Sequence, residues 1–116
     1  MDMYRQYLKE RTDTELVTSD QGFATYTTTF SDGGYFDCYI EDIYVIPEAR
    51  RGRAASRLAD KIMLIAKQQG CDRLLGSVDL NAANPTTNIK VLLGYGFEVF
   101  KSEENFIWFK KTIQEI

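Results

Sequence analysis

The sequence predicts an α/β (α+β) fold, a mixed and mostly antiparallel sheet with a central parallel strand pair and flanking helices. Three observations carry this prediction. Tyr35–Ile46 (YFDCYIEDIYVI) ends in nearly unbroken apolar residues, as a strand buried on both faces does. A helix-period stretch to Gln69 and a second apolar run, Leu74–Asp79, follow at the spacing of a right-handed βαβ unit. Short turns divide the remaining β-rich residues into hairpins, giving the order α-β-β-β-α-β-α-β-β.

Taken in order, MDMYRQYLKER contains no helix breaker and places Met3, Tyr4, Tyr7 and Leu8 at helical spacing. Strands are expected at Leu16–Ser19 and Phe23–Phe30, around an Asp20-Gln21-Gly22 turn; TYTTTF has the β-branched and aromatic character of a strand. Asp32-Gly33-Gly34 marks the next tight turn, and Pro47 stops the long strand that follows. A helix from about Arg53 to Gln69 buries Ala55, Leu58, Ala59, Ile62, Ile65 and Ala66, and Gly70 is placed to close it. Asn84-Pro85 reads as an N-cap followed by proline at the first helical position. That helix turns Ile89, Leu92 and Leu93 inward and ends near Gly94–Gly96. Phe97–Lys101 and Phe106–Thr112 close the fold as a hairpin around Ser102-Glu103-Glu104. Trp108 and Phe106 on it are read first as packing residues, with the aromatic wall of a binding site as the alternative.

The 116 residues suit one domain, 1–116, with a single core. A net charge of −3 argues against general nucleic-acid binding, which needs a broad basic surface. No apolar run approaches the ~20 residues that span a bilayer, and no signal-peptide pattern opens the chain. The expectation is no nucleic-acid partner, no membrane association and a cytoplasmic location. Cys38 and Cys71 fit no metal-ligand spacing, so no metal is expected and both read as core thiols. With no histidine, serine or cysteine nucleophile schemes built on histidine are excluded. Proton transfer falls to carboxylates, tyrosines, lysines or water.

Four of the seven arginines (Arg50, Arg51, Arg53, Arg57) lie in Val45–Leu58, VIPEARRGRAASRL. Here an apolar strand end passes through Pro47 into a turn that opens a helix. Helix starts carry N–H groups without intrahelical partners and the positive end of the dipole. Arginines beside them make an anion site suited to a phosphate or pyrophosphate.

The element order, Val45-Ile46-Pro47-Glu48 with Arg50-Arg51-Gly52-Arg53-Ala54-Ala55, and NPTTNIKVLLGYGF further along, resemble the GNAT superfamily of acyl-CoA-dependent N-acyltransferases. The resemblance spans roughly Glu15–Thr112 and implies the acyl-CoA N-acyltransferase fold in a compact, N-terminally shortened member. It implies acetyl-CoA as co-substrate, with its pyrophosphate held by the loop Arg50, Arg51, Gly52, Arg53, Ala54, Ala55 and Ser56. The pantetheine arm would pair with the backbone of Ile43, Tyr44 and Val45 as an added strand. Asn84 and Asn88 would close the other side of the cleft. The position at which the family often carries a tyrosine acid is Leu92; Tyr95 stands one turn further on and is not assigned that role.

On this resemblance the expected activity is transfer of an acetyl group to a primary amine, small molecule or protein, in a ternary complex. Glu41 and Asp42, expected on opposite faces of the half-buried central strand, are the candidates to take a proton from the acceptor. The alternative is a catalytically weak GNAT-like module acting through CoA binding or protein contacts. The missing first strand and part of a helical pair would form one wall of the acceptor site. Either acceptor recognition is minimal or a partner subunit supplies that wall, which leaves room for a homodimer.

Overall fold

The structure, a computed structural model, describes residues 2–113. Its elements are α1 (Asp2–Thr12), β1 (Glu15–Ser19), β2 (Gly22–Phe30), β3 (Phe36–Val45), a 3₁₀ turn (Pro47–Ala49), α2 (Ala54–Gln69), β4 (Arg73–Asp79), α3 (Pro85–Tyr95), β5 (Glu98–Glu103) and β6 (Phe106–Thr112). They form a six-stranded sheet in the order β1-β2-β3-β4-β6-β5. The β3–β4 pair is parallel and the other pairs are antiparallel, as the sequence predicts. No helix among the described residues is long and apolar enough to cross a membrane.

The core lies between the sheet and α2. Leu58, Ile62 and Ala66 of α2 are fully buried against Ala24, Cys38, Leu74 and Phe109 of four strands. Gly70 ends α2 in the left-handed conformation (φ 81°), where a residue without Cβ is unstrained, and its N–H bonds the carbonyls of Ala66 and Lys67. Both cysteines are buried and free. Burial pushes the Cys38 thiol up to about 12 and raises that of Cys71 as well.

Several local expectations are corrected. The opening helix forms, but none of its residues is buried: Met3 and Tyr7 are exposed, and Tyr4 meets Phe23 edge-on at 5.8 Å. Asn84 makes no side-chain capping bond and instead adopts the left-handed region (φ 57°), which asparagine tolerates better than most residues. In α3, Ile89 and Leu92 pack on the core, whereas Leu93 is exposed and Tyr95 packs inward in its place. The last hairpin turns at Glu104-Asn105, one residue later than expected, with Glu104 at φ 51°.

The correction with most consequence is in β3. Thr25 pairs with Asp42 and Tyr26 with Ile40, so Glu41 is an extra, bulged residue. A bulge breaks the strict alternation of faces. Ile43 opposite Ala24 and Ile40 opposite Tyr26 share the buried α2 side. Asp42 opposite Thr25 is therefore on the other face, and Glu41 reaches Thr14 beside it, its Oε1 accepting from the Thr14 hydroxyl at 3.1 Å. The two carboxylates share one face rather than standing on opposite ones, and both are exposed rather than half-buried.

Candidate active site

The parallel pairing of β3 with β4 is short. Asp37, Cys38 and Tyr39 match Arg73, Leu74 and Leu75, and there it ends, although β3 continues to Val45 and β4 to Asp79. The two strands diverge into a wedge. A cleft of about 220 Å³ occupies it, between Ile40–Ile43, Gly76–Val78, the start of α2 and the inner side of α3. Its closed end is pinned by a buried ion pair in which Arg73 Nε and Nη2 donate to the two Asp37 carboxylate oxygens at 2.8 and 2.9 Å. The Tyr35 ring covers that guanidinium at 3.9 Å.

The open stretch of β3 presents to the cleft an edge that β4 no longer pairs. The Ile46 N–H bonds Gln21 O on the β2 side. Because backbone direction alternates along a strand, Val45 and Ile43 turn their peptide groups toward the cleft side and Tyr44 turns its own toward β2. Of the three residues expected to pair with an extended ligand, Ile43 lines the cleft, whereas Tyr44 and Val45 do not, and the Val45 carbonyl accepts from Arg50. The Tyr44 side chain stacks on Phe23 at 5.6 Å.

The arginine-rich turn leads from the end of β3 into α2. The N–H groups of Arg50 and Gly52 are used inside the turn, donating to Pro47 O and Ala49 O. Those of Ala54, Ala55 and Ser56, in the first turn of α2, have no intrahelical acceptor. Arg53 has φ −105°, an ordinary value, so a side chain is accommodated here without backbone strain. Arg50 also has a structural part: its Nε donates to Val45 O at 2.9 Å and the guanidinium lies 5.7 Å from the Tyr44 ring. Arg51, Arg53 and Arg57 are exposed, and among the described residues no carboxylate pairs with them. Ala55 and Ser56 line the cleft, so the start of α2 and the wedge are continuous.

Glu41 and Asp42 both line the cleft, as does Asn88. Asn84, at the far end of the first turn of α3, does not. Asp79, at the end of β4, accepts the Asn81 N–H at 2.9 Å and thereby shapes the turn after the strand. Leu92 presents an apolar side chain to the cleft. Tyr95 lines it as well, but its hydroxyl donates to Asp60 Oδ1 at 2.6 Å. Burial first, then this bond, raises the Tyr95 phenol above its ordinary value.

Sequence reasoning missed Ser77 and Tyr39. Ser77 lines the cleft, and its Oγ is 2.8 Å from the Tyr39 hydroxyl. The Tyr39 ring is held against Trp108 at 5.6 Å. A signal was present: Ser77 is a hydroxyl in an otherwise apolar parallel strand, LLGSV, on the face that alternation turns away from Leu74 and Val78.

The sequence model of the acetyltransferase (GNAT) family matches residues 3–87. No curated protein matches the chain. Among solved structures, it is similar to the PaiA N-acetyltransferase of Thermoplasma acidophilum in complex with coenzyme A (TM-score 0.71, 13% identity, 95% of this chain and 69% of that one). It is also similar to a ribosomal-protein-alanine N-acetyltransferase from Brucella melitensis (TM-score 0.67, 16% identity, 96% and 77%). A third is Naa50 of Arabidopsis thaliana in complex with the bisubstrate analogue CoA-Ac-MVNAL (TM-score 0.61, 18% identity). There the match covers 78% of this chain and 64% of the other, just under two thirds of its length. At these identities the likeness is one of fold.

Proposed function

Because the chain belongs to the acetyltransferase (GNAT) family, we propose that it transfers an acetyl group from acetyl-CoA to a primary amine by direct attack. The observation that carries this reading is the wedge: two parallel strands that part after three paired residues and leave a cleft along an edge of β3 that β4 no longer pairs. An extended amide-bearing arm is the kind of ligand such an edge takes, as an added strand. The peptide groups of Ile43 and Val45 would pair with the pantetheine. The first turn of α2 and the arginines beside it would hold the pyrophosphate. Two of the similar structures hold CoA or a CoA conjugate, which supports that assignment.

In the step itself, the neutral amine nitrogen bonds the thioester carbon. The carbon–sulfur bond then breaks and CoA leaves as thiolate. The amine loses one proton, which Glu41 or Asp42 on the acceptor side receives directly or through water and then passes to solvent. A strand N–H at the cleft would stabilise the oxyanion. The remaining contribution is positioning, which needs no covalent intermediate on the protein.

A specific observation favours the second reading, a module that binds CoA without efficient turnover. Leu92 is apolar where a proton donor would assist the thiolate, and the Tyr95 hydroxyl is directed to Asp60. One titration and one assay separate the readings. Acetyl-CoA at ~100 Kd stabilises its binder by about 2.7 kcal/mol, so a clear rise in Tm is expected. No rise at millimolar acetyl-CoA overturns both readings. A rise with release of CoA thiol in the presence of amines supports the transferase; a rise without release supports the module.

A further inference from the structure

We propose that Ser77, backed by Tyr39, orients the attacking amine at the apex of the wedge. This rests on the acetyltransferase reading above and adds to it the residue that receives the nucleophile.

Ser77 stands two residues beyond Leu75, the last residue of β4 paired with β3. At the rise of a strand this is about 7 Å past the point of divergence. Glu41, the bulged residue, lies two residues past Tyr39 on the other arm. A thioester drawn in along Val45 and Ile43 therefore arrives with its carbonyl carbon between Ser77 and the β3 bulge.

The faces agree. Tyr39 is matched with Leu75, and alternation places Ser77 on the same face as both, opposite the α2 side occupied by Cys38 and Leu74. Glu41 and Asp42 share that face because of the bulge. Nucleophile, proton acceptor and hydroxyl pair are thus approached from one side, while the CoA arm enters along the cleft from the start of α2.

The donor and acceptor inventory gives Ser77 its role. A serine hydroxyl has one O–H and two lone pairs. The 2.8 Å bond to Tyr39 can run in either direction. If Tyr39 donates, one lone pair of Ser77 is used; if Ser77 donates, none is. In both cases Ser77 keeps at least one acceptor site, on the side of the cleft that it shares with Glu41 and Asp42. An amine N–H bonded to that site has its own lone pair turned toward the thioester carbon. The bond is a hydrogen bond throughout: the proton the amine loses leaves through Glu41, Asp42 or water, and the thiolate departs along the cleft. Tyr39 is a positioning residue. Its ring rests on Trp108, the cross-strand partner of Ser77, and its hydroxyl fixes the serine rotamer.

The test compares Ser77→Ala, Ser77→Thr and Tyr39→Phe by CoA-thiol release at varied amine concentration, with the acetyl-CoA thermal shift measured on each. Ser77→Ala is expected to lower kcat/KM for the amine about ten-fold, the scale of one lost hydrogen bond, with the acetyl-CoA shift unchanged. Ser77→Thr is expected to restore most of the rate, and Tyr39→Phe to lose about three-fold. Full kcat/KM in Ser77→Ala overturns the proposal. So does a Ser77→Ala loss that appears equally in the acetyl-CoA shift, which would place the residue in the CoA site. Wild-type protein that shifts with acetyl-CoA but acetylates no amine overturns this inference and leaves CoA binding standing. Wild-type protein without a shift overturns the acetyltransferase reading itself.

Discussion

Gly52 and Gly22 are glycines for different reasons, and the difference is testable. A Cβ at Gly22 would lie 2.0 Å from the Tyr44 carbonyl oxygen, so strand β2 cannot hold a side chain there without moving β3. Gly22→Ala should destabilise the fold by about 2 kcal/mol, the scale of an overpacked site, read as a lower urea midpoint. A Cβ at Gly52 would meet only Ala49 O, at 3.6 Å, which is ordinary contact. The protein itself does not require a glycine at that turn. If the missing Cβ serves a phosphate instead, Gly52→Ala should keep the wild-type Tm and weaken acetyl-CoA binding about ten-fold, or ~1.4 kcal/mol. Arg50→Glu is the less clean probe, because the same side chain holds Val45 O and its loss would disturb the end of β3. The arginine cluster was visible in the sequence as charge density in an acidic chain. That one of its members also caps a strand was not, since the cap is a contact between Arg50 and a carbonyl set in place by the 3₁₀ turn between them.

The strand pair β3–β4 is held together at one end only. Asp37 and Arg73 are matched across it and form a two-point ion pair with side-chain exposures of only 2% and 9%. Removing one partner strands a buried charge. Asp37→Ala should therefore cost about 3–5 kcal/mol. The double variant Asp37→Leu/Arg73→Met should recover most of that in the same denaturation series, because an apolar pair leaves no charge unsatisfied. A double variant that stays as unstable as the single one would show that packing, not the charge, sets the cost. At this scale the sequence was legible where periodicity is long. The α2 stripe, the βαβ unit and every strand appear where the pattern puts them, to within a residue or two. What escaped were features set by a neighbouring strand or helix. The β3 bulge is a mismatch in count between two strands and leaves no mark in either alone. Leu93 was assigned inward on helical period, yet α3 rests on the sheet through Ile89, Leu92 and Tyr95, a small shift of the buried stripe that only packing decides. The hydroxyl pair of Tyr39 and Ser77 joins residues 38 apart in sequence, and only the parallel register brings them together.

For the molecule as a whole, burial of titratable groups predicts a one-sided pH response. Desolvation raises Cys38 to about 12 from an ordinary value of 9.0 and also raises Cys71, Tyr26 and Tyr95. Each of these groups ionises more readily in the unfolded chain than in the fold. Between the two values the unfolded state binds fewer protons, so stability falls as pH rises. It should be fully present below pH ~8.5 and decline above ~9, with Cys38 alone contributing roughly 1.4 kcal/mol per pH unit. Urea midpoints across pH 7–10.5 check this, and Cys38→Ala should flatten the alkaline slope even though its absolute stability is lower. The same burial decides how the enzyme reading can be tested. CoA-thiol release is followed with thiol reagents near pH 8, where a reactive protein cysteine would add to the signal. Cys38 is 0% exposed and Cys71 5%, and burial raises both thiols above their ordinary value. Native protein should consume no reagent on the timescale of the assay, and the denatured chain should consume two equivalents. Reagent uptake by native protein without CoA would show that the sheet–α2 core opens far more readily than its packing implies, and the wedge built on that core would then be too mobile to align an amine and a thioester.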